Sequence, residues 1–481
     1  MTRTVVELFE EQVHRSSVRP ALRYYRDGAW EQASWKEWWD RSERLAAGLL
    51  DGGVDPGEAI ALVMSTRMEW GIADMGIAMT RGSCLALDAG LDADELVRAL
   101  AENQVRTAIL EGPMQVAVLS GRAQDLPELR RLIVVEEDAL VQTAGVGRSL
   151  LRMESLTLPK RWEVLTVEAV TATGRHRLTA EPRFVANRRR EIQSEDVAAI
   201  LYTAGVTAPA RGVRLSHKNL AAQLKSLAAM QLFTSEDVQL IFLPLSNMFG
   251  RVLYLAAVGY GMTSAFGRGY HRLLEDLAEV QPTLLASVPQ VYESLREDLV
   301  RRVERRGPRS RLLPLALRVG RTVSRRVQGD DPVGLILAME HRLFSRLLLE
   351  DVRQRLGGRM RFLISAGAPL NPETAQFFFS TGVLILEGYG LTETAGAVTF
   401  NLPDDFRFGS VGKALPRVEV AIDERGEVLI RGETVMVGFV SDEVSGEGQP
   451  VVDEDGWFHT GDRGRFDREG FLFLDGRVKE S

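Results

Sequence analysis

Short apolar runs rich in β-branched residues alternate with longer helix-period segments along some 390 residues of this chain, and that alternation limits the fold more than any other feature. The runs are Ala59 to Met64, Cys84 to Leu87, Thr107 to Leu110, Leu132 to Val135, Val197 to Tyr202, Leu240 to Leu243, Leu284 to Val288 and Phe362 to Ile364. Amphipathic segments such as Trp35 to Leu50, Asp92 to Asn103, His217 to Met230 and Asn371 to Ser380 lie between them. Strand and helix in turn predict an α/β fold with mixed, largely parallel sheets. The repeat is too long for one sheet, so two packed α/β subdomains are expected, 1–195 and 196–405. From about 406 to 475 the texture changes to short strands and tight turns, with hairpins predicted around Arg425-Gly426 and Glu469-Gly470, which reads as a small β-rich subdomain.

Two segments stand apart. Residues 139–195 read as an irregular, polar surface excursion. Residues 296–326 hold eleven arginines against three acids and are broken by Pro308 and Pro314, with a helical pattern resuming after Pro332. A solvated helical hairpin accounts for that charge, and so does a peripheral contact with anionic lipid headgroups or a phosphate-rich cofactor.

Composition removes whole classes of function. The formal charge of −7 argues against nucleic-acid binding, which needs a basic phosphate-facing surface. With Cys84 as the single cysteine, neither an intramolecular disulfide nor a cysteine-built zinc site is available. The charged N-terminus lacks the apolar stretch of a signal peptide, and no run of about 18 apolar residues exists to span a membrane. A cytoplasmic protein, at most peripheral to the inner membrane face, is the expectation. There are only six lysines, at 36, 160, 218, 225, 413 and 479, so a mechanism that needs one has few candidates.

Chemistry gathers at the predicted strand ends. The run AILYTAGVTAPARGVRLSHKNL passes from a buried strand through a small loop into a helix, which can aim backbone N–H groups and threonine hydroxyls at a phosphate. It lacks the GK[ST] of a Walker A loop. In MRFLISAGAPLNPE a small-residue turn again follows a strand, and LILEGYGLTETAG comes about 20 residues later. There Gly388 and Gly390 allow close backbone approach, Tyr389 offers a stacking face, and Glu393 beside Thr392 offers an oxygen ligand for Mg²⁺ or an acid at a helix N-terminus. The turn WFHTGD presents the carboxylate of Asp462, and DGR places Arg477 after a second turn.

The order of YTAGVTAPARGV, LPLSNMFG, SAGAPL, EGYGLTET, HTGD and GRVKE resembles the adenylate-forming superfamily, and within it the stretch between VPQVYESL and RFLISAGAPL is similar to long-chain fatty acyl-CoA synthetases. The resemblance implies ATP-dependent activation of a fatty acid or other carboxylate through acyl-AMP, then transfer to the thiol of CoA or of a carrier protein. Position by position, it implies that Thr203, Gly205, Thr207 and Arg211 form a phosphate loop, with Thr203 and Glu393 as Mg²⁺ ligands. Gly367, Ala368, Glu387, Gly388, Tyr389 and Thr392 would line the adenine and α-phosphate site. Asp462 and Arg477 would hold the ribose, and the acyl chain would lie against Asn247 to Gly261 and Ser287 to Tyr292.

The chain departs from the family pattern in places. Ala204, Val206 and Ala208 stand where Ser, Thr and Gly are usual, Arg211 stands for Lys, and Asn247 stands for His. The resemblance also makes 476–481 a hinge, leading to a C-terminal domain expected to be absent. An impaired ligase is one expectation, and a non-catalytic acyl- or nucleotide-binding protein on the same fold is the other.

Overall fold

The computed structural model describes residues 3–136, 138–143, 147–152, 156–203, 210–304, 313–328, 332–348, 350–441 and 452–478. The chain divides into two units, Met1–Leu224 with Leu243–Gly261 and Met436–Val444, and Lys225–Phe242 with Met262–Val435 and Ser445–Ser481. The expected fold class holds: parallel-rich α/β sheets with a small antiparallel one.

The first unit is built on an eight-stranded sheet running Gly438–Phe439, Gly212–Ser216, Val197–Tyr202, Ser83–Leu87, Ala59–Val63, Thr107–Leu110, Arg131–Val134, Glu163–Thr166. Pairing is parallel from Val197–Tyr202 to Glu163–Thr166 and antiparallel at the other edge. Both faces are covered, which is why these strands read as continuous apolar runs instead of alternating ones. Ala61, Val63, Leu85 and Leu110 pack on one face with Leu96, Leu100, Val116 and Leu119 of helices Ala93–Glu102 and Pro113–Gly121. Ile60, Leu62 and Ile109, pointing the other way by strand alternation, are equally buried.

The polar excursion expected at 139–195 is a correction. Strand Glu163–Thr166 completes the sheet, and helices Val167–Ala180 and Phe184–Arg189 follow it. Thr166 caps the first of these by accepting from the N–H of Ala169 at 3.0 Å. That helix lies against Trp35–Asp51 so closely that a Cβ on Gly174 would sit 1.9 Å from the Arg44 carbonyl oxygen. Packing by glycine in place of large apolar side chains leaves little hydrophobic signal in the sequence.

In the second unit the sheet runs Lys413–Ala414, Gly396–Phe400, Leu384–Leu391, Phe362–Ser365, Leu284–Ser287, Val238–Ile241, Thr263–Phe266, and is parallel from Leu384–Leu391 onward. A four-stranded antiparallel sheet follows, Glu419–Ile422, Glu427–Arg431, Phe458–Phe466 and Leu472–Arg477, with the two expected hairpin turns. Of the arginine-rich stretch, residues 305–312 lie outside the described residues; the rest lies in or beside helices Pro289–Glu304 and Leu313–Gln328, with Pro314 in the first turn of the second. Helix Leu335–Leu348 comes next. No helix among the described residues is long and apolar enough to cross a membrane.

Candidate active site

Each unit contributes its own set of candidate residues. In the first, Thr203 directly follows strand Val197–Tyr202, and Arg211 directly precedes its antiparallel partner Gly212–Ser216. The two residues pin the neck of the loop: the Thr203 N–H donates to the Arg211 carbonyl at 3.0 Å, and the Arg211 N–H donates to Thr203 Oγ1 at 3.1 Å. Thr203 Oγ1 thus accepts one bond, and the hydroxyl carries a proton of its own. The guanidinium of Arg211 lies 3.5 Å from the ring centroid of Phe439, so its planar head is stacked as well as charged. Gly205 and Thr207, with Ala204, Val206 and Ala208, lie outside the described residues.

The residues read as acyl-chain contacts have structural work. Asn247 is exposed and caps helix Met248–Tyr260, its Oδ1 accepting from the Phe249 N–H at 2.9 Å. Gly261 ends the same helix in the left-handed region, φ 75°, where glycine is favoured. Between them Arg251, 2% exposed, forms a buried ion pair with Asp74 at 2.5 Å and reaches toward Cys84 Sγ. Tyr292, in the second unit, is fully buried, and its hydroxyl donates to the carbonyls of Ile364 at 2.6 Å and Leu285 at 3.0 Å. It staples helix Pro289–Glu304 to the strands Leu284–Ser287 and Phe362–Ser365.

On three adjacent parallel strands Ser287, Ser365 and Glu387 are in register, the two serines as the last residues of their strands and Glu387 where the parallel ladder ends within Leu384–Leu391. In-register residues of parallel neighbours share a face, so two hydroxyls and a carboxyl form a row. All three are buried, and among the described residues the Ser287 and Ser365 hydroxyls find no hydrogen-bond partner. Burial pushes the Glu387 carboxyl up to about 7, only partly offset by backbone N–H donors at Gly409 and Leu370. Ser365 was not among the residues singled out from the sequence. The signal was present: the apolar runs LLAS and FLIS both end on serine.

Glu387 opens the run that continues through Gly388, Tyr389 and Gly390 along strand Leu384–Leu391. The close approach at the glycines is made by the neighbouring strand: a Cβ on Gly388 would lie 2.6 Å from the Phe400 ring, and one on Gly390 2.0 Å from the Gly396 carbonyl. Tyr389 is 8% exposed, and its hydroxyl donates to Asp462 Oδ2 at 2.7 Å. Burial, then the charge of Asp462, raises the Tyr389 hydroxyl above the usual phenol range and keeps it a donor. Asp462 and Arg477 are cross-strand partners in the small sheet, with guanidinium and carboxylate 3.4 Å apart. Thr392 and Glu393 form a short turn just past the strand, followed by Ala395 at φ 52°, a strained conformation for a residue with a Cβ. Gly367 and Ala368 are exposed just beyond strand Phe362–Ser365, Gly367 at φ 87°. The second unit thus carries Glu387 and Tyr389 on one strand, Thr392 and Glu393 in the turn that follows it, and Asp462 and Arg477 on the small sheet bonded to that strand through Tyr389.

Groups at or just past the carboxyl ends of parallel strands, such as Ser287, Ser365, Thr392 and Glu393, stand where α/β proteins bind ligands. The AMP-binding enzyme family model matches residues 9–440, and the chain belongs to that family. It is 29% identical over 456 residues to the long-chain-fatty-acid–CoA ligase FadD15 of Mycobacterium bovis, covering 94% of this chain and 71% of the relative. To the peroxisomal long chain acyl-CoA synthetase 6 of Arabidopsis thaliana it is 28% identical, covering 90% and 60%. Among solved structures, the inhibitor-bound N-terminal domain of FACL13 from Mycobacterium tuberculosis superposes with a TM-score of 0.70 at 18% identity, covering 99% of this chain and all of that one.

Proposed function

We propose that this chain activates a fatty acid: its carboxylate attacks the α-phosphate of ATP to give acyl-AMP and pyrophosphate, and a thiolate, that of CoA, then displaces AMP to give the thioester. The observation that carries this reading is the Tyr389–Asp462–Arg477 arrangement, with Thr392 and Glu393 following on from the strand of Tyr389, in a chain of the AMP-binding enzyme family whose similar relatives are named as fatty acid–CoA ligases.

On this reading Asp462 and Arg477 hold the ribose, with Tyr389 fixing Asp462. Glu387, Gly388 and Tyr389, with Gly367 and Ala368, border the adenine and α-phosphate. Thr203, Gly205, Thr207 and Arg211 receive the phosphates. Among the described residues no three His, Cys, Asp or Glu side chains cluster to hold a metal. Thr203 of the first unit and Glu393 of the second each offer an oxygen of the kind Mg²⁺ takes, an ion that needs few protein ligands and fills its shell with phosphate oxygens and water. When bound, Mg-ATP supplies the activated phosphoanhydride. The protein's own contribution is positioning and charge: Arg211 offers a fixed cation, and buried Tyr389 orients the Asp462 carboxylate.

The substitutions Ala204, Val206 and Ala208 favour a second reading, in which the chain binds an acyl or nucleotide ligand with little turnover. Carboxylate-dependent ATP–pyrophosphate exchange with a fatty acid separates the two. Exchange supports activation, and then CoA against a phosphopantetheine carrier protein identifies the acceptor. Acyl-adenylate binding by calorimetry, without exchange or Mg-ATP binding, would support the second reading and overturn the first.

A further inference from the structure

The ladder of the small sheet is interrupted where it carries Asp462. Strands Glu427–Arg431 and Phe458–Phe466 pair Ile430 with Phe458 and Leu429 with His459, and then Glu427 with Arg463. Val428 therefore stands alone opposite Thr460, Gly461 and Asp462, three residues against one. A bulge of this kind re-aims side chains and leaves backbone groups without ladder partners. Gly461 sits in it at φ 71°, in the left-handed region that favours glycine. Asp462 keeps Arg477 as its partner on the other side of the strand, and its carboxylate reaches Tyr389.

Side chains take the places that ladder carbonyls would fill. Thr460 Oγ1 accepts from the Asp462 N–H at 3.0 Å and donates to the Val428 carbonyl at 2.7 Å. The Gly461 N–H donates to Glu427 Oε1 at 2.8 Å. Glu427 is itself fixed at both ends. Its N–H donates to Asp423 Oδ1 at 2.7 Å, its carbonyl accepts from the Asp423 N–H at 3.0 Å, and its Oε2 lies 3.2 Å from His459 Nδ1. The other ring nitrogen of His459 faces Asp453 at 3.5 Å. The Glu427 side chain is only 15% exposed, so its bond to Gly461 meets little competition from water.

We propose that Glu427 is a positioning residue for the ribose: through the Gly461 N–H it holds the bulge in the one conformation that aims Asp462. The proposal rests on the reading of Asp462 as a ribose-holding residue given under Proposed function. Tyr389 fixes the carboxylate end of Asp462, and Glu427 fixes the backbone from which that side chain projects. Glycine has no side chain to keep it at φ 71°, so the restraint comes from its hydrogen bonds. Without the Glu427 carboxylate the Gly461 N–H loses its acceptor, and small displacements of a positioned group cost binding steeply. Glu427 touches no ligand in this role and acts only through Asp462.

Calorimetry with Mg-ATP and with Mg-2′,3′-dideoxy-ATP, which lacks both ribose hydroxyls, tests the proposal on the full chain. The wild type is expected to prefer ATP by about tenfold or more, because a site that hydrogen-bonds a hydroxyl rejects the analogue without it. Glu427→Ala should lose most of that preference through weaker ATP binding, with the dideoxy affinity within about twofold of wild type. Glu427→Gln, which keeps an acceptor oxygen for the Gly461 N–H, should retain the preference. Hydrogen exchange at the Gly461 amide follows the same bond without nucleotide, and should be faster in Glu427→Ala than in the wild type or Glu427→Gln. An unchanged preference in Glu427→Ala overturns the positioning role, as does equal weakening of both nucleotides or unchanged exchange at Gly461. A wild type that binds the two nucleotides alike overturns the ribose reading itself, and the proposal with it.

Discussion

The Tyr389 hydroxyl donates a 2.7 Å hydrogen bond to Asp462 Oδ2, tying strand Leu384–Leu391 to a small-sheet strand 73 residues away in the chain. Tyr389 is buried and Asp462 largely so, while Arg477 on the far side of the carboxylate is mostly exposed. The tyrosine, more than the arginine, therefore fixes the orientation of Asp462. Tyr389→Phe should cost about 1–3 kcal/mol of stability, since it removes a hydrogen bond to a charged group. On the proposed reading it should also weaken Mg-ATP binding more than Arg477→Gln does. Denaturant unfolding and calorimetry check the two effects, and an unchanged midpoint with unchanged affinity would refute the orienting role.

Glu387 gives a pH dependence whose sign is fixed by burial. Its carboxyl is raised from 4.5 to about 7, so the folded state holds a proton that the unfolded state has released between those values. Below about pH 4.5 both states are protonated and nothing is lost. Stability falls as pH rises through the window, by an amount on the order of 3 kcal/mol near pH 7. Glu387→Gln, neutral throughout, should be more stable than the wild type above pH 7 and equal to it near pH 4.5. Urea midpoints for both proteins across pH 4.5–8 make the comparison, and parallel curves would rule out Glu387 as the titrating group.

His217 acts in the opposite direction. Complete burial lowers its imidazole from 6.5 to about 4, and its Nδ1 accepts from the Val5 N–H at 3.4 Å. The unfolded state therefore takes up a proton first as pH falls, and stability is lost between about 6.5 and 4. His217→Gln should flatten the acid limb of the stability profile. An unaltered limb would leave acid unfolding to other groups.

Much of this architecture was legible in the sequence because the runs at 59–64, 84–87, 107–110 and 197–202 are buried on both faces and so read as continuous apolar stretches. Helix Val167–Ala180 was not, since its contact with helix Trp35–Asp51 is made through Gly48 and Gly174 and deposits no hydrophobic period. At the candidate site the motif order identified the strand ends, but residue type alone could not separate a ligand contact from a structural one. Asn247 also caps a helix, Gly261 also ends one and Tyr292 also bridges two strands, roles set by tertiary packing. The row of Ser287, Ser365 and Glu387 depends on register between strands far apart in the chain, which no local pattern encodes.

The Arg251–Asp74 pair predicts a strong asymmetry between single and double variants. Both partners are buried, and they join helix Met248–Tyr260 to helix Met68–Met79. Arg251→Met alone strands the Asp74 carboxylate and should cost about 3–5 kcal/mol, whereas adding Asp74→Leu should recover most of that loss. Chemical denaturation of the wild type, Arg251→Met, Asp74→Leu and the double variant closes the cycle. A double variant no more stable than Arg251→Met would mean that the helix contact depends on charge and not on packing.

Arg211 offers the sharpest test of the proposed phosphate loop. Its backbone closes the neck with Thr203, while its guanidinium stacks on Phe439. Lysine could supply the charge but not the planar stacking, so Arg211→Lys alone should weaken Mg-ATP binding, by up to about thirtyfold if a desolvated cation–π contact of about 2 kcal/mol is lost. Ala204→Ser/Val206→Thr/Ala208→Gly with Arg211 kept should act the other way. Each restored phosphate hydrogen bond is worth about 1.5–3 kcal/mol, or roughly ten- to hundredfold in affinity. Calorimetry with Mg-ATP on the wild type, Arg211→Lys and the triple variant measures both effects. If the triple variant binds no tighter, the loop already compensates for its missing hydroxyls and the case for weakened turnover falls.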